Sequence, residues 1–186
     1  RIEIKLIENQ KYTKNIINSS LDIICASDKN GNIIEFNYAA EKAFGYKLNE
    51  TKNNKIELIY GSKKEYKKVN IELNEKGSFI GEIQNKRKNG EIFTSFLTAS
   101  VLYNENREKI GTMGVSRDIT ELKEAEKQLV ESEEKYKDLF ENATDLIQSV
   151  DMNGNIIYVN EAWKKTTGFS IKEIQNKNIF EIIHPD

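Results

Sequence analysis

The sequence predicts an α+β fold: a five-stranded antiparallel sheet with helices on one face, then a coiled-coil-type linker helix, then the first part of another unit of the same kind. Three observations predict it. The chain repeats itself. Short alternating apolar runs are punctuated by Asn-Gly and lone Gly residues, as strands joined by tight turns are. And one long stretch, Glu121 to Asn142, contains neither Gly nor Pro and is dominated by Glu, Lys, Leu and Ala.

The repeat organises everything else, because a period found in the chain fixes the unit of folding. Asp22 to Ile56 aligns without a gap with Asp145 to Ile179, at one offset throughout (145 − 22 = 123). Asp28/Asp151, Gly31/Gly154, Asn37/Asn160 and Gly45/Gly168 are among the identical pairs. The second copy stops half-way at Asp186 and the chain begins at Arg1 without a Met, so we expect a piece of a longer protein.

Residues 1 to 20 carry Ile2, Ile4, Leu6, Ile7, Ile16 and Ile17 in a polar background and are expected to be mainly helical. Asp22 to Ser27 is a β-rich run. Lys29-Asn30-Gly31-Asn32 supplies the positive-φ residues of a hairpin, and Ile33 to Phe36 is the returning strand. Asn37 suits a helix N-cap and Gly45 the left-handed position that ends the helix Tyr38 to Phe44. Copy two repeats this with Asn160, Glu161 to Thr167, and Gly168. Short helical turns follow from Leu48 to Tyr60, then a longer helix from Lys63 to Glu75. Strand-like runs cover 79–87, 91–103 and 109–119. In the second of these, Phe93, Leu97, Ala99 and Val101 alternate with Thr94, Thr98 and Ser100, the period of two of a half-buried antiparallel strand. Phe96, Met113 and Val115 fall on the opposite face of that sheet. In Glu121 to Asn142, Leu122, Leu129 and Tyr136 recur at seven residues with Ala125, Ser132 and Leu139 three further on, a heptad seam with Ser132 as its weak point. Asp118 or Thr120 is placed to cap its start.

Composition narrows function. The 186 residues carry 31% charged side chains, but the net charge is only −2, which gives no reason to expect nucleic acid or an anionic membrane as partner. No apolar run approaches the ~18 residues of a membrane span. One Cys cannot form an internal disulfide, and fits a reducing, cytoplasmic setting for this region even if the parent is membrane-attached. With one His and one Cys, no protein-only zinc site is expected.

Strand, Asn-Gly hairpin, strand, Asn-capped helix ending in Gly45-Tyr46 or Gly168-Phe169, long helix, three-stranded meander and a closing Asp118-Ile119-Thr120 resemble the PAS sensor domain with its PAC segment. Lys86-Arg87-Lys88-Asn89-Gly90 and Arg117-Asp118-Ile119-Thr120 carry the resemblance together. It implies a linker helix from an upstream module over 1–11, a complete domain over 12–120, a signalling helix over 121–142 and half a domain over 143–186. It further implies a sensory relay, without catalysis in this region, in a parent such as a sensor histidine kinase. The signal would pass through Asp118 and Thr120 into Leu122 and Leu129 of a homodimeric helix seam, and on to a downstream output domain. A flavin-binding redox or light sensor, or a ligand-free dimerisation scaffold of a diguanylate cyclase, is the alternative.

A ligand pocket in such a domain would lie between sheet and helices, lined by Cys25, Phe36, Phe44, Ile71, Phe79, Ile83, Leu97, Ala99 and Gly114. The ligand itself is unknown. Haem-binding members use a His in the long helix, and Gly61 to Tyr66 offers none. Photoactive flavin members use a Cys in a helical Asn-Cys-Arg motif, whereas Cys25 lies in a strand with nothing basic beside it to favour a thiolate. A non-covalent flavin or a small metabolite remains open. Trp163, aligned with Ala40, is expected to pack, Lys63, Lys64, Lys67 and Lys68 to form a solvated helix face, and His184 to be a structural or surface residue.

Overall fold

The computed structural model describes residues 2–174 and 177–182. The chain forms two compact units, 1–123 and 124–186. The first opens with helix α1 (Ile2–Ser19), followed by the hairpin β1 (Ile23–Asp28) and β2 (Ile33–Phe36). A helical block follows: α2 (Tyr38–Phe44), α3 (Leu48–Thr51), a 3-10 turn at Ile56–Ile59, and α4 (Lys63–Lys76). The meander β3 (Ser78–Lys86), β4 (Ile92–Tyr103) and β5 (Lys109–Asp118) closes the sheet, and α5 (Thr120–Asn142) leaves it. All pairings are antiparallel, in the order β2-β1-β5-β4-β3.

The β1–β2 turn shows why these residues sit where they do. Asp28 Oδ1 accepts from the amides of Asn30 and Asn32 at 2.9 and 2.8 Å, and Gly31 takes φ 79°. Gly31 is the turn's one positive-φ residue, not one of several, because its amide closes a turn back to the Asp28 carbonyl at 2.9 Å, and such a turn needs a left-handed residue only at its end. Asn37 then ties the segment together. Its Oδ1 accepts from Ile24 N at 3.0 Å and Ala40 N at 2.9 Å, while its Nδ2 donates to Ile17 O at 3.1 Å and Asp22 O at 3.0 Å. The side chain is fully buried, which is tolerable because both its amide hydrogens and its oxygen are paired.

One face of the sheet carries the core. Ile23, Cys25, Ile33, Phe36, Ala40, Phe44, Ile59 and Phe93 pack at one end, and Val69, Leu73, Phe79, Ile83, Leu97 and Ala99 at the other. On the outer face Phe96 is exposed, with Met113 and Val115 half-buried beside it. Ile71 departs from expectation. It is 55% exposed, because Val69 and Leu73, four residues apart, fix the buried face of α4 and turn Ile71 to the opposite side.

In the second unit β6 (Gln148–Val150) pairs with β7 (Ile156–Val159), followed by α6 (Glu161–Thr167), α7 (Ile171–Ile174) and a 3-10 turn at Ile179–Glu181. Asp151 and Asn160 repeat the bonds of Asp28 and Asn37. Trp163 is buried with Ile156, Val159, Ile174 and Ile179. No residue of α5 is buried; Leu122, Leu129 and Leu139 are each more than half exposed.

Candidate sensory cavity and output junction

Between the sheet and α4 lies a cavity of about 50 Å³, with Cys25, Ile83, Leu97, Ala99 and Gly114 on its wall. These are five of the residues expected from the sequence. Phe36, Phe44 and Phe79 are packed in the adjoining core instead, and Ile71 points away from it. The pattern of apolar residues missed the polar half of the wall: Ser27, Tyr60, Tyr66, Asn70, Asn85 and Thr112. Ser27 Oγ and Thr112 Oγ1 share a hydrogen bond of 2.8 Å. Asn85 donates to Ile59 O at 2.7 Å and accepts from Ser95 Oγ at 2.5 Å. Among the described residues no hydrogen bond occupies the phenol oxygens of Tyr60 and Tyr66 or the amide of Asn70, so these three are the groups left to meet a guest.

Size and charge limit that guest. At ~15 Å³ per water-sized group the cavity holds roughly three, against the several hundred Å³ of a typical cofactor pocket. A flavin ring system does not fit this cavity. Cys25 does not fit adduct chemistry either. Burial, and then the neighbouring Glu35 carboxylate, push its thiol far above its ordinary range, where the reactive thiolate is scarce. Burial likewise raises the Tyr60 phenol, with smaller contributions from Cys25, Tyr66 and Glu65. The wall is therefore neutral and hydrogen-bonding.

The second feature is the junction where the sheet passes into α5. Asp118 ends β5 and accepts from the Thr120 amide at 3.0 Å, so Asp118 caps the helix. Thr120 faces the sheet: its Oγ1 accepts from Thr94 N at 3.1 Å, near the start of β4. The other carboxylate oxygen of Asp118 takes Arg87 Nη2 at 2.7 Å. Arg87, known from the sequence only as part of a turn motif, is the hub. It also donates to Glu91 Oε1 at 3.0 Å and to the Ala43 carbonyl at the end of α2. Its guanidinium lies 4.0 Å over the Phe93 ring. Phe93 contacts Phe44 at 5.3 Å between ring centroids, and Phe44 contacts Phe36 at 5.7 Å. A continuous line of packed rings thus joins β2 to Arg87, Asp118 and the first turn of α5. Burial alone would raise the Asp118 carboxyl, but the Thr120 amide and hydroxyl and the Arg87 charge together hold it below the usual carboxylate range. Lys123, one turn into α5, reaches Glu82 Oε1 on β3 at 2.7 Å.

Among the described residues no group of three or more His, Cys, Asp or Glu could hold a metal ion, and no helix is long and apolar enough to cross a membrane. His184 lies outside the described residues.

The fold and site define a sheet-and-helix module with a small interior cavity and a helix anchored to its last strand. The chain belongs to the PAS domain family: a PAS domain model matches residues 21–121, and a PAS fold model matches residues 134–186. It is similar to sporulation kinase E of Bacillus subtilis (strain 168), 31% identical over 158 residues that make up 83% of this chain. The chain spans 21% of the length of that curated relative. Among solved structures it resembles the PAS domain of a protein from Colwellia psychrerythraea, at 25% identity, TM-score 0.56, over 60% of this chain and 98% of that one. The PAS domain of an HTR-like protein from Haloarcula marismortui shares the fold at 21% identity and TM-score 0.54, over 64% of this chain and 98% of that one. So does a PAS domain from a two-component sensor histidine kinase, at 14% identity and TM-score 0.53, over 63% and 99%.

Proposed function

We propose that the chain is the sensing and relay region of a multidomain signalling protein, a sensor histidine kinase in which these residues perform no catalysis themselves. The first unit senses, by admitting a small neutral hydrogen-bonding molecule to the cavity under its sheet or by a change in a partner. The change passes through Phe44, Phe93, Arg87 and Asp118 into α5. Two α5 helices pair in parallel through Leu122, Ala125, Leu129 and Leu139, and a shift in their packing is the output.

The observation that supports this reading is the junction. Asp118 holds the sheet's Arg87 with one oxygen and the helix's first amide with the other. Nothing that repacks β3, β4 or α2 around Arg87 can leave the start of α5 unaffected. The kinase output is supported by the likeness to sporulation kinase E.

The test pairs two variants. Leu129→Glu places a charge in the seam and is expected to weaken dimerisation while leaving the first unit folded. Asp118→Ala is expected to leave association intact but to uncouple sheet from helix. Sedimentation of both, with autophosphorylation of the full-length parent, decides. If Leu129→Glu dimerises and signals like the wild type, the relay does not run through this seam.

A further inference from the structure

The register of the sheet explains why a cavity stands under it. Phe36, Cys25, Gly114, Ala99 and Phe79 lie side by side, one from each strand in the order β2-β1-β5-β4-β3. Two phenyl rings thus flank three of the smallest side chains, and the floor drops between the rings. Toward the β1–β2 turn the next inward row is polar: Ser27 stands opposite Thr112, and their hydroxyls share a bond of 2.8 Å. In the other direction the wall is apolar, with Leu97 and then Ile83. The roof adds polar groups at the turn end. Tyr66 Oη stands 3.6 Å from the point that a Cβ on Gly31 would occupy, so this phenol reaches the turn. Asn70 lies four residues on, and four further Asn74 takes Lys109 Nζ, at the start of β5, at 3.0 Å. That contact turns the Asn70 side of α4 toward the same end of β5. The Tyr60 phenol, cut off from water by burial, also lines the cavity and has no hydrogen-bond partner among the described residues.

The cavity is therefore polar at one end and apolar at the other. Its volume of about 50 Å³, at ~15 Å³ per water-sized group, holds roughly three or four nonhydrogen atoms. We propose that it takes a short primary alcohol, ethanol or 1-propanol in kind, a reading that rests on the sensing role given to this cavity above. The hydroxyl sits among Ser27, Thr112, Tyr66 and Asn70, where it both donates and accepts. The Asn70 amide offers a donor and an acceptor, and the hydroxyl hydrogens around it rotate to suit. The alkyl tail lies over Cys25, Gly114 and Ala99, toward Leu97. No Asp, Glu, Lys or Arg lines the wall, so a carboxylate or an amine of the same size would lose its water without gaining a partner charge. A longer alcohol meets Phe36 and Phe79 at the sides, and Leu97, whose Cδ1 comes within 3.1 Å of where a Gly114 Cβ would stand.

The test titrates the full chain with small molecules and follows the backbone amide NMR signals of Cys25, Ala99 and Gly114. 1-Propanol is expected to shift all three saturably, half-complete at about 1–10 mM, a range open to so small a ligand. 1-Hexanol, too long for the cavity, and propionate, similar in size but charged, should each need at least about tenfold more. Ala99→Val raises the floor and should abolish saturation. Asn70→Ala removes the amide without filling the cavity. It should weaken 1-propanol about tenfold and leave the binding of xenon, which needs no hydrogen bond, unchanged. Where Ala99→Val fails to fold, Asn70→Ala decides. Shifts that never saturate, an equal response to propionate, or tighter binding of 1-hexanol would overturn the proposal. So would a response to xenon with none to 1-propanol, the sign of a dry apolar void. Saturation by acetamide where 1-propanol fails would overturn the alcohol and leave the sensing cavity standing. No saturable response to any of the neutral molecules would take down both, and leave only the partner-driven route to the junction.

Discussion

Replacing Arg87 by Lys keeps the charge and removes the geometry. The guanidinium serves three acceptors on three elements, Asp118 on β5, Glu91 on β4's approach and the Ala43 carbonyl of α2, while its plane covers Phe93 at 4.0 Å. A lysine ammonium on a flexible stem cannot reach all three from one position or stack on the ring. Its side chain is 22% exposed, so each lost bond is worth the lower part of the ~0.5–1.5 kcal/mol range, and the stacking ~0.5–1 kcal/mol. Two lost bonds and the stack give a destabilisation of about 2 kcal/mol. With a urea slope of ~1–2 kcal/mol/M for a unit of this size, the midpoint should fall by ~1–2 M.

The assay is equilibrium unfolding of the whole chain, and the sequence supplies an internal control. Trp163, the one Trp, lies in the second unit, so its fluorescence follows that unit, while tyrosine absorbance follows mainly the first. The first transition should move and the Trp163 transition should stay. A double-mutant cycle with Asp118→Asn should return a coupling of ~0.5–1 kcal/mol, because the two charges are only partly desolvated. A midpoint shift below ~0.3 M for Arg87→Lys, or zero coupling in the cycle, would refute the view of Arg87 as the hub of the junction.

Other perturbations follow from single contacts. A Cβ on Gly111 would lie 2.1 Å from the Ser27 carbonyl oxygen, so Gly111→Ala must push β5 off β1; a loss of ~3 kcal/mol is expected in the same unfolding experiment, and near-neutral behaviour would mean the strands pair differently. Ala40→Trp copies the second unit's residue into the first, where Ala40 is fully buried against Phe36 and Phe44; it should cost ~2–3 kcal/mol or more and broaden the amide spectrum of that unit. Asp28 is held below its usual pKa chiefly by the Asn32 amide, Glu41 chiefly by the Leu48 amide, and Asp118 by its Thr120 and Arg87 bonds against the opposing effect of burial. Groups with depressed folded values stabilise above the unfolded carboxylate pKa, and that contribution is lost as pH falls through the folded value. The first unit's urea midpoint should therefore be flat from about pH 7 to 5 and fall below about pH 4, with a shallower fall in Asp118→Asn; equal slopes would remove Asp118 from the acid response.

Strand limits were legible to within a residue or so because alternation and Gly-rich turns are local signals. Phe93, Leu97 and Ala99 point inward as their period of two requires. Strand order was not legible. That β1 lies between β2 and β5 depends on pairings such as Cys25 with Gly114, which no local pattern announces. Ile71 departs from the expected pocket because Val69 and Leu73, four residues apart, set the buried face of α4, and a residue two positions from each cannot share that face. A pattern of apolar residues does not mark the polar cavity wall. Ser27 continues the inward phase of Cys25, and Asn85 that of Ile83, so the same alternation would have found both. Of the two residues placed to cap α5, Asp118 takes the Thr120 amide while the Thr120 hydroxyl serves Thr94, a division of labour set by tertiary position.

The two copies separate frame from interior. Asn37 and Asn160 are both fully buried and make matching bonds to the first strand's amide, the helix's amide and the carbonyls before the strand. Backbone geometry demands an Asn there, and a substitution would orphan several buried groups at once. Positions interior to the first unit answer to no such demand and differ between the copies. Where the first unit has buried Cys25, Ala40 and Phe44, the second has exposed Gln148, buried Trp163 and half-buried Thr167. The indole Nε1 donates to Gln148 Oε1 at 2.8 Å, and Thr167 Oγ1 donates to the Trp163 carbonyl at 2.8 Å. A large aromatic with a polar tip thus stands at the Ala40 position, while Phe36 and Phe44 correspond to Val159 and Thr167. Changes of that kind alter what an interior can hold and how it touches its surroundings, while leaving the hairpin and capped helix intact. The shared frame therefore rests on Asp28/Asp151, Asn37/Asn160 and Gly45/Gly168, and the side chains set between them are free to differ.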